Sequence, residues 1–232
     1  MARLLPSLSR RDLDAVILDL DGTLVDTLGD FAMALNAMLA ELGLRPITAP
    51  RIRNMVGKGS EHLLHSVLRH VLDRRPPDAR LEREAWARYS AHYLAINGKY
   101  ATVYPGVIEG LAHLRDAGLR LACLTNKPGA FARPLLDAKG LAQPFEFVFG
   151  GDAFARKKPD PLPLLKTCEA LGTSPARTLM VGDSSNDAQA ARGAGCPVVL
   201  MRYGYNHGEP IDAVDADGYL NSLADLVPQL QA

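Results

Sequence analysis

The chain has 232 residues, 47% hydrophobic and 22% charged, a composition that excludes a disordered or fibrous protein and allows a sizeable buried core. Lysine plus arginine total 26 and so do aspartate plus glutamate, so no net field draws in nucleic acid or an anionic membrane, and small molecules are the expected partners. Cys123, Cys168 and Cys196 are scattered and read as small buried hydrophobes of a reducing compartment rather than as a disulfide or metal framework.

In chain order, residues 1–14, MARLLPSLSRRDLD, hold an apolar stretch too short for a signal peptide, followed by Arg10 and Arg11. No later run approaches a membrane span, so a cytoplasmic location is expected. The run 15–20, AVILDL, predicts a buried strand that ends in Asp19 and Asp21. Residues two apart on a strand face the same side, so both carboxylates lean into one volume. Two unit charges roughly 4 Å apart at an effective dielectric of about 20 repel by about 4 kcal/mol, so a cation between them or a held proton is required. Taken alone, Gly22 and Thr23 also fit a plain polar turn.

From 27 to 100 the character changes. Helical spacing appears at 31–42, 61–71 and 81–95 with no clear strand, which predicts a small helical domain, 27–100, inserted into a core made of 1–26 and 101–232. Within it, RIRNMVGKGSEHLL places Gly57, Lys58, Gly59 and Ser60 before a predicted helix. Free backbone N–H groups at such a helix start, with Lys58 adding charge, suit a small carboxylate. The loop lacks a third glycine and follows no strand, which argues against dinucleotide binding.

Pro105 and Gly106 mark the return to the core. Strand-length apolar runs follow at 119–124, 147–149, 178–181 and 198–201, with helical spacing at 107–117 and 187–194. Strands alternating with helices imply βαβ units, an α/β fold with a Rossmann-like parallel sheet. The polar residues at the ends of these strands are Asp19 and Asp21, then Thr125 and Asn126, then Lys158 beyond the third, then Asp183 and Asp187. Ligands bind at the carboxyl ends of strands in such sheets, so all these groups converge on one rim. Four aspartates against Lys158 leave a deficit that a hard dication resolves. Magnesium suits carboxylates, waters and phosphate, whereas the six histidines form no zinc motif.

DLDGT at 19–23, Thr125-Asn126 closing an apolar strand, Lys158 in KKPDP, and GDSSND at 182–187 resemble, in order, the four motifs of the haloacid dehalogenase superfamily. Within it, TLVDT, TVYPGV, LTNKP and FGGDAFARKKPDPLPLL are similar to the phosphoglycolate phosphatases. The resemblance implies that Asp19 is the nucleophile and forms an aspartyl-phosphate. Asp21 would be the general acid and base, protonated when substrate is bound because Asp19 and phosphate crowd it with negative charge. It implies Mg²⁺ held by the Asp19 side chain, the Asp21 carbonyl and Asp183. Asp187 would serve as a water-mediated contact to the ion, as a partner of Lys158, or only as a helix-start residue. Thr125 and the Asn126 amide would bind phosphate oxygens, with Lys158 neutralising them. The insert would be the cap, with Gly57, Lys58 and Gly59 selecting the substrate. The alternatives are a phosphatase for another small or sugar phosphate, a sugar phosphomutase, and a phosphorylatable signalling domain. The helical insert and the placement of the second acid after the phosphorylated one argue against the signalling domain.

Overall fold

The computed structural model describes residues 12–230; the sequence reading of the first eleven residues falls outside them. The first strand, β1 (Ala15–Leu18), is buried at all four positions, as a central parallel strand covered on both faces must be. It sits inside a six-stranded sheet with β4 (Arg120–Leu124), β5 (Phe147–Phe149), β6 (Thr178–Gly182), β7 (Val198–Met201) and β8 (Gly218–Leu220), in the order β5-β4-β1-β6-β7-β8. All neighbours are parallel, with Leu18 opposite Cys123 on one side and Val181 on the other. The chain runs outward from β1 to β5 and then returns beside β1 to begin β6, so the topology switches at β1 and the ends of β1, β4 and β6 share one rim.

All five expected strands are present, and two details differ. Regular pairing of β1 stops at Leu18, because the Leu20 carbonyl already accepts from the Thr23, Leu24 and Val25 amides in a tight turn. The sixth strand, β8, has only three residues in a polar stretch, and its pairing with β7 rather than its own pattern defines it. Side chains alternate between the two faces of β1 as the strand period demands: Val16 and Leu18 pack into one core cluster, Ala15 and Ile17 into another.

Two short strands, β2 (Val25–Asp26) and β3 (Thr102–Val103), pair antiparallel. Between them lie α1 (Leu28–Glu41), α2 (Ala49–Arg53), α3 (Ser60–Val71) and α4 (Ala79–Ile96). The helix α4 opens on Asp78, whose side chain accepts from the Leu81 amide. The four-helix segment buries Leu35, Leu39, Val67, Tyr89 and Tyr93 in a third cluster, which Phe131 and Tyr205 enter from the sheet side. The short α2, which carries Pro50 in its first turn, has no counterpart in the periodicity.

The remaining helices are α5 (Val107–Asp116), α6 (Gly129–Ala138), α7 (Leu162–Leu171), α8 (Ser185–Ala194) and α9 (Leu226–Leu230). Of these, α5 and α8 match the expected spacing. Pro134 inside α6 and Pro163 in the first turn of α7 read as breakers in the sequence and hide both helices. All three cysteines are buried and free. No helix among the described residues is long and apolar enough to cross a membrane.

Candidate active site

The turn after β1 carries the two acids. The Asp19 amide extends the ladder by donating to the Val181 carbonyl at 2.9 Å, which fixes its side chain at the rim in a buried position. Gly22 closes the turn at φ +87°, and a Cβ there would lie 2.1 Å from Asp183 Oδ2, so only glycine fits. The end of β6 delivers Asp183, whose Oδ1 accepts from Thr23 Oγ1 at 3.0 Å and whose Oδ2 accepts from the Tyr205 amide at 2.5 Å.

A capping box starts α8: Asp187 Oδ2 accepts from the Ser184 hydroxyl at 2.7 Å and from the Ser184 and Asp183 amides at 3.2 Å. Its Oδ1 accepts from Lys158 Nζ at 2.7 Å. Both Asp187 oxygens are therefore engaged by protein donors, and the residue is a direct partner of Lys158. Lys158 also donates to the Leu124 carbonyl at 2.8 Å and lies 3.1 Å from Asp19 Oδ1.

Carboxylate oxygens of Asp19, Asp183 and Asp187 lie within 4.8 Å of one another. Burial, opposed by Lys158 and reinforced by Asp187, pushes the Asp19 carboxyl up to about 6. Burial, and then Asp187 and Asp19, raise Asp183 well above the usual range. For Lys158 burial works the other way, but Asp187 and Asp19 outweigh it and hold the ammonium above the ordinary lysine value. Asp19 Oδ1 is buried with no hydrogen bond, and the donors are all hard oxygens. The residues thus fit a hard cation, and the cluster could hold a metal ion.

Thr125 and Asn126 follow β4, both buried. The Asn126 side chain is committed: its amide donates to the Lys158 carbonyl at 2.8 Å and the Gly57 carbonyl at 3.1 Å, and its oxygen accepts from the Lys158 amide at 3.0 Å. Asn186 also donates to the Gly57 carbonyl, at 3.2 Å, so two amides from the sheet side hold the loop before α3.

Asp21 departs from the other acids. It accepts from Lys127 Nζ at 2.8 and 3.1 Å, and Lys127 has no exposed side-chain surface. The charge count from the sequence took Lys158 as the sole cation and missed Lys127, although the lysine stands next to Asn126 at a strand end in LTNKP. Its partner lies 106 residues earlier, and only the turn after β1 brings the two together.

A small cavity opens over these groups, lined by Asp19, Asp21, Thr125, Asn126 and Lys127 and by Gly57, Gly59 and Ser60 among others. Gly59, at φ +90°, leaves no room for a Cβ, which would lie 2.8 Å from the Asn126 carbonyl. Lys58 does not line the cavity; its side chain is exposed and adds to the positive surroundings that, after burial, lower the pKa of His62 and of His207.

The model of the haloacid dehalogenase-like hydrolases matches residues 13–195. A phosphoglycolate phosphatase of Thiobacillus denitrificans is 44% identical over 91% of this chain and 92% of its own length. One of Nitrosospira multiformis is 46% identical over 94% and 95%. The crystal structure of a predicted phosphoglycolate phosphatase from Haemophilus somnus 129PT superposes with a TM-score of 0.91 at 31% identity, covering 95% of this chain and 99% of that one. With that match spanning both the strand-end acids and the helical segment between β2 and β3, the chain belongs to the haloacid dehalogenase-like hydrolase family.

Proposed function

We propose that this protein is a magnesium-dependent phosphatase that hydrolyses 2-phosphoglycolate to glycolate and phosphate through an aspartyl-phosphate on Asp19. The observation that carries the reading is a pair of acids on one turn, each beside its own buried lysine and both lining one small cavity. Relatives 44–46% identical over nearly their whole length carry that substrate in their names.

In the first half-reaction an Asp19 oxygen attacks phosphorus in line. The Asp19 O–P bond forms, the bond from phosphorus to the glycolate oxygen breaks, and Asp21 gives that oxygen a proton. In the second, Asp21 takes a proton from water as the water oxygen attacks phosphorus, and the Asp19 O–P bond breaks to release inorganic phosphate. The Thr125 hydroxyl and the Asn126 backbone N–H bind phosphate oxygens, the Asn126 side chain being committed to Lys158 and Gly57. Lys158 neutralises the phosphate and the nucleophile, the electrostatic stabilisation on which phosphoryl transfer depends. Asp187 acts through Lys158 by holding its ammonium. The Asp19 and Asp183 side chains and the Asp21 carbonyl would hold Mg²⁺, which when bound offsets the repulsion between nucleophile and phosphate. The insert 27–100 is the cap: its Gly57–Ser60 loop covers the cavity and limits water over the reacting phosphorus.

The test is a panel of phosphate monoesters with purified protein and Mg²⁺. We expect kcat/KM for 2-phosphoglycolate to exceed that for sugar phosphates by at least an order of magnitude. A sugar phosphate preferred by that factor overturns the substrate, and a stable phosphoprotein without turnover overturns the enzyme.

A further inference from the structure

Lys127 is the one buried charge at the site to which the four motifs assign no task. A fully buried ammonium must be compensated, and Lys127 Nζ sits 2.8 Å from Asp21 Oδ1 and 4.4 and 4.8 Å from the ring centroids of Phe31 on α1 and Tyr93 on α4. The two rings favour a cation there and desolvate it, so a charge brought to it acts more strongly than at the surface. Among the residues that line the cavity, Lys127 is the only cation. Lys58, the cation that the loop pattern suggested for a carboxylate, is exposed and does not line it.

The same cavity is lined by Gly59 and Ser60, the start of α3, and no side chain caps that helix. An anionic group entering between Lys127 and this turn meets an ammonium that it shares with Asp21, together with the positive end of a twelve-residue helix. The phosphate cannot be that group, because Lys158, Thr125 and Asn126 await it on the Asp19 side. The group must be the far end of the substrate. A leaving group that carries a carboxylate supplies it, whereas a neutral one leaves both features unused.

We infer that Lys127 is the specificity-determining residue of the site, its ammonium binding the carboxylate of the leaving group with the first turn of α3 as the second contact. This rests on the phosphatase reading above and names what selects its substrate. The carboxylate shares the ammonium with Asp21, which places the leaving oxygen beside that acid. A monoester lacking the carboxylate forgoes both the contact and the placement.

The experiment compares kcat/KM for 2-phosphoglycolate and for ethyl phosphate, which keeps the two-carbon leaving group without the carboxylate, in the wild type and in Lys127→Met. The ratio should fall about 100-fold in the variant, the scale expected when one partner of a buried charge pair is removed. Lys127→Arg should recover part of it. Lys127→Gln keeps a polar head against Asp21 and gives the same readout should Lys127→Met fail to fold. Lys58→Ala should shift the ratio less than threefold. A ratio that stays within threefold of wild type in the Lys127 variants, with both substrates losing rate together, overturns the inference and leaves Lys127 as a support for Asp21. A Lys58→Ala ratio that falls instead assigns the carboxylate to Lys58 and overturns it too. Wild-type protein that does not discriminate between the two esters overturns the phosphoglycolate reading itself, so the two failures are distinguishable.

Discussion

Asp19 and Asp21 stand two residues apart on one turn, and their mutual repulsion is relieved by separate means. Asp19 faces Lys158 and two further carboxylates, while Asp21 faces Lys127 beneath two aromatic rings. Four carboxylates thus meet two buried ammoniums, a deficit that one dication cancels. Because Asp19 is the proposed point of covalent attachment, Asp19→Asn should lower kcat by at least about 10³-fold, since a lost nucleophile is not replaced by its neighbours. Its far-UV circular dichroism and melting temperature should stay near those of the wild type, because a buried carboxyl held up to about 6 gains little from its charge. Residual turnover above that level, after deamidated protein is removed, contradicts the assignment.

At the level of elements, one buried side chain ties the two ends of the helical segment together. Asp30 in the first turn of α1 is fully buried and accepts from the Gly98 and Tyr100 amides, each at 2.7 Å, so the start of the segment holds its own end. Asp30→Ala leaves two amides without their acceptor and removes a charge that the positive end of α1 favours. The expected loss is about 2–4 kcal/mol, seen in urea titration as a lower midpoint with an unchanged slope. A midpoint shift corresponding to less than about 0.5 kcal/mol would show that this tie does not hold the segment. The helices that the periodicity missed, α2, α6, α7 and α9, all carry proline, which the chain tolerates in a first turn and, at Pro134, within α6.

Across the whole molecule, a cation held among the three clustered acids would couple its binding to stability. They come from the ends of β1 and β6 and the start of α8, so they meet only when the sheet is formed. A ligand that binds the folded chain alone stabilises it by about 2.7 kcal/mol at 100 times its dissociation constant. For a chain of this size that corresponds to roughly 5–10 °C in melting temperature. Saturating Mg²⁺ should therefore raise the melting temperature by that amount over protein in EDTA, and Asp183→Asn should abolish most of the rise. An equal melting temperature with and without the ion would remove magnesium from the proposal.

The linear order of residues determined the parallel sheet, its five main strands, the helical character of 27–100 and the rim where Asp19, Thr125, Lys158 and Asp183 meet. These follow from local hydrophobic period and from the rule that parallel strands point their carboxyl ends one way. Tertiary structure alone decided which charge faces which. That Lys127 rather than Lys58 enters the cavity, that Asp187 spends both oxygens on protein donors, and that the Asn126 side chain is taken by Lys158 and Gly57 are outcomes of contacts between distant segments. A buried charge is settled by whatever three-dimensional neighbour can compensate it, and sequence spacing carries no record of that neighbour.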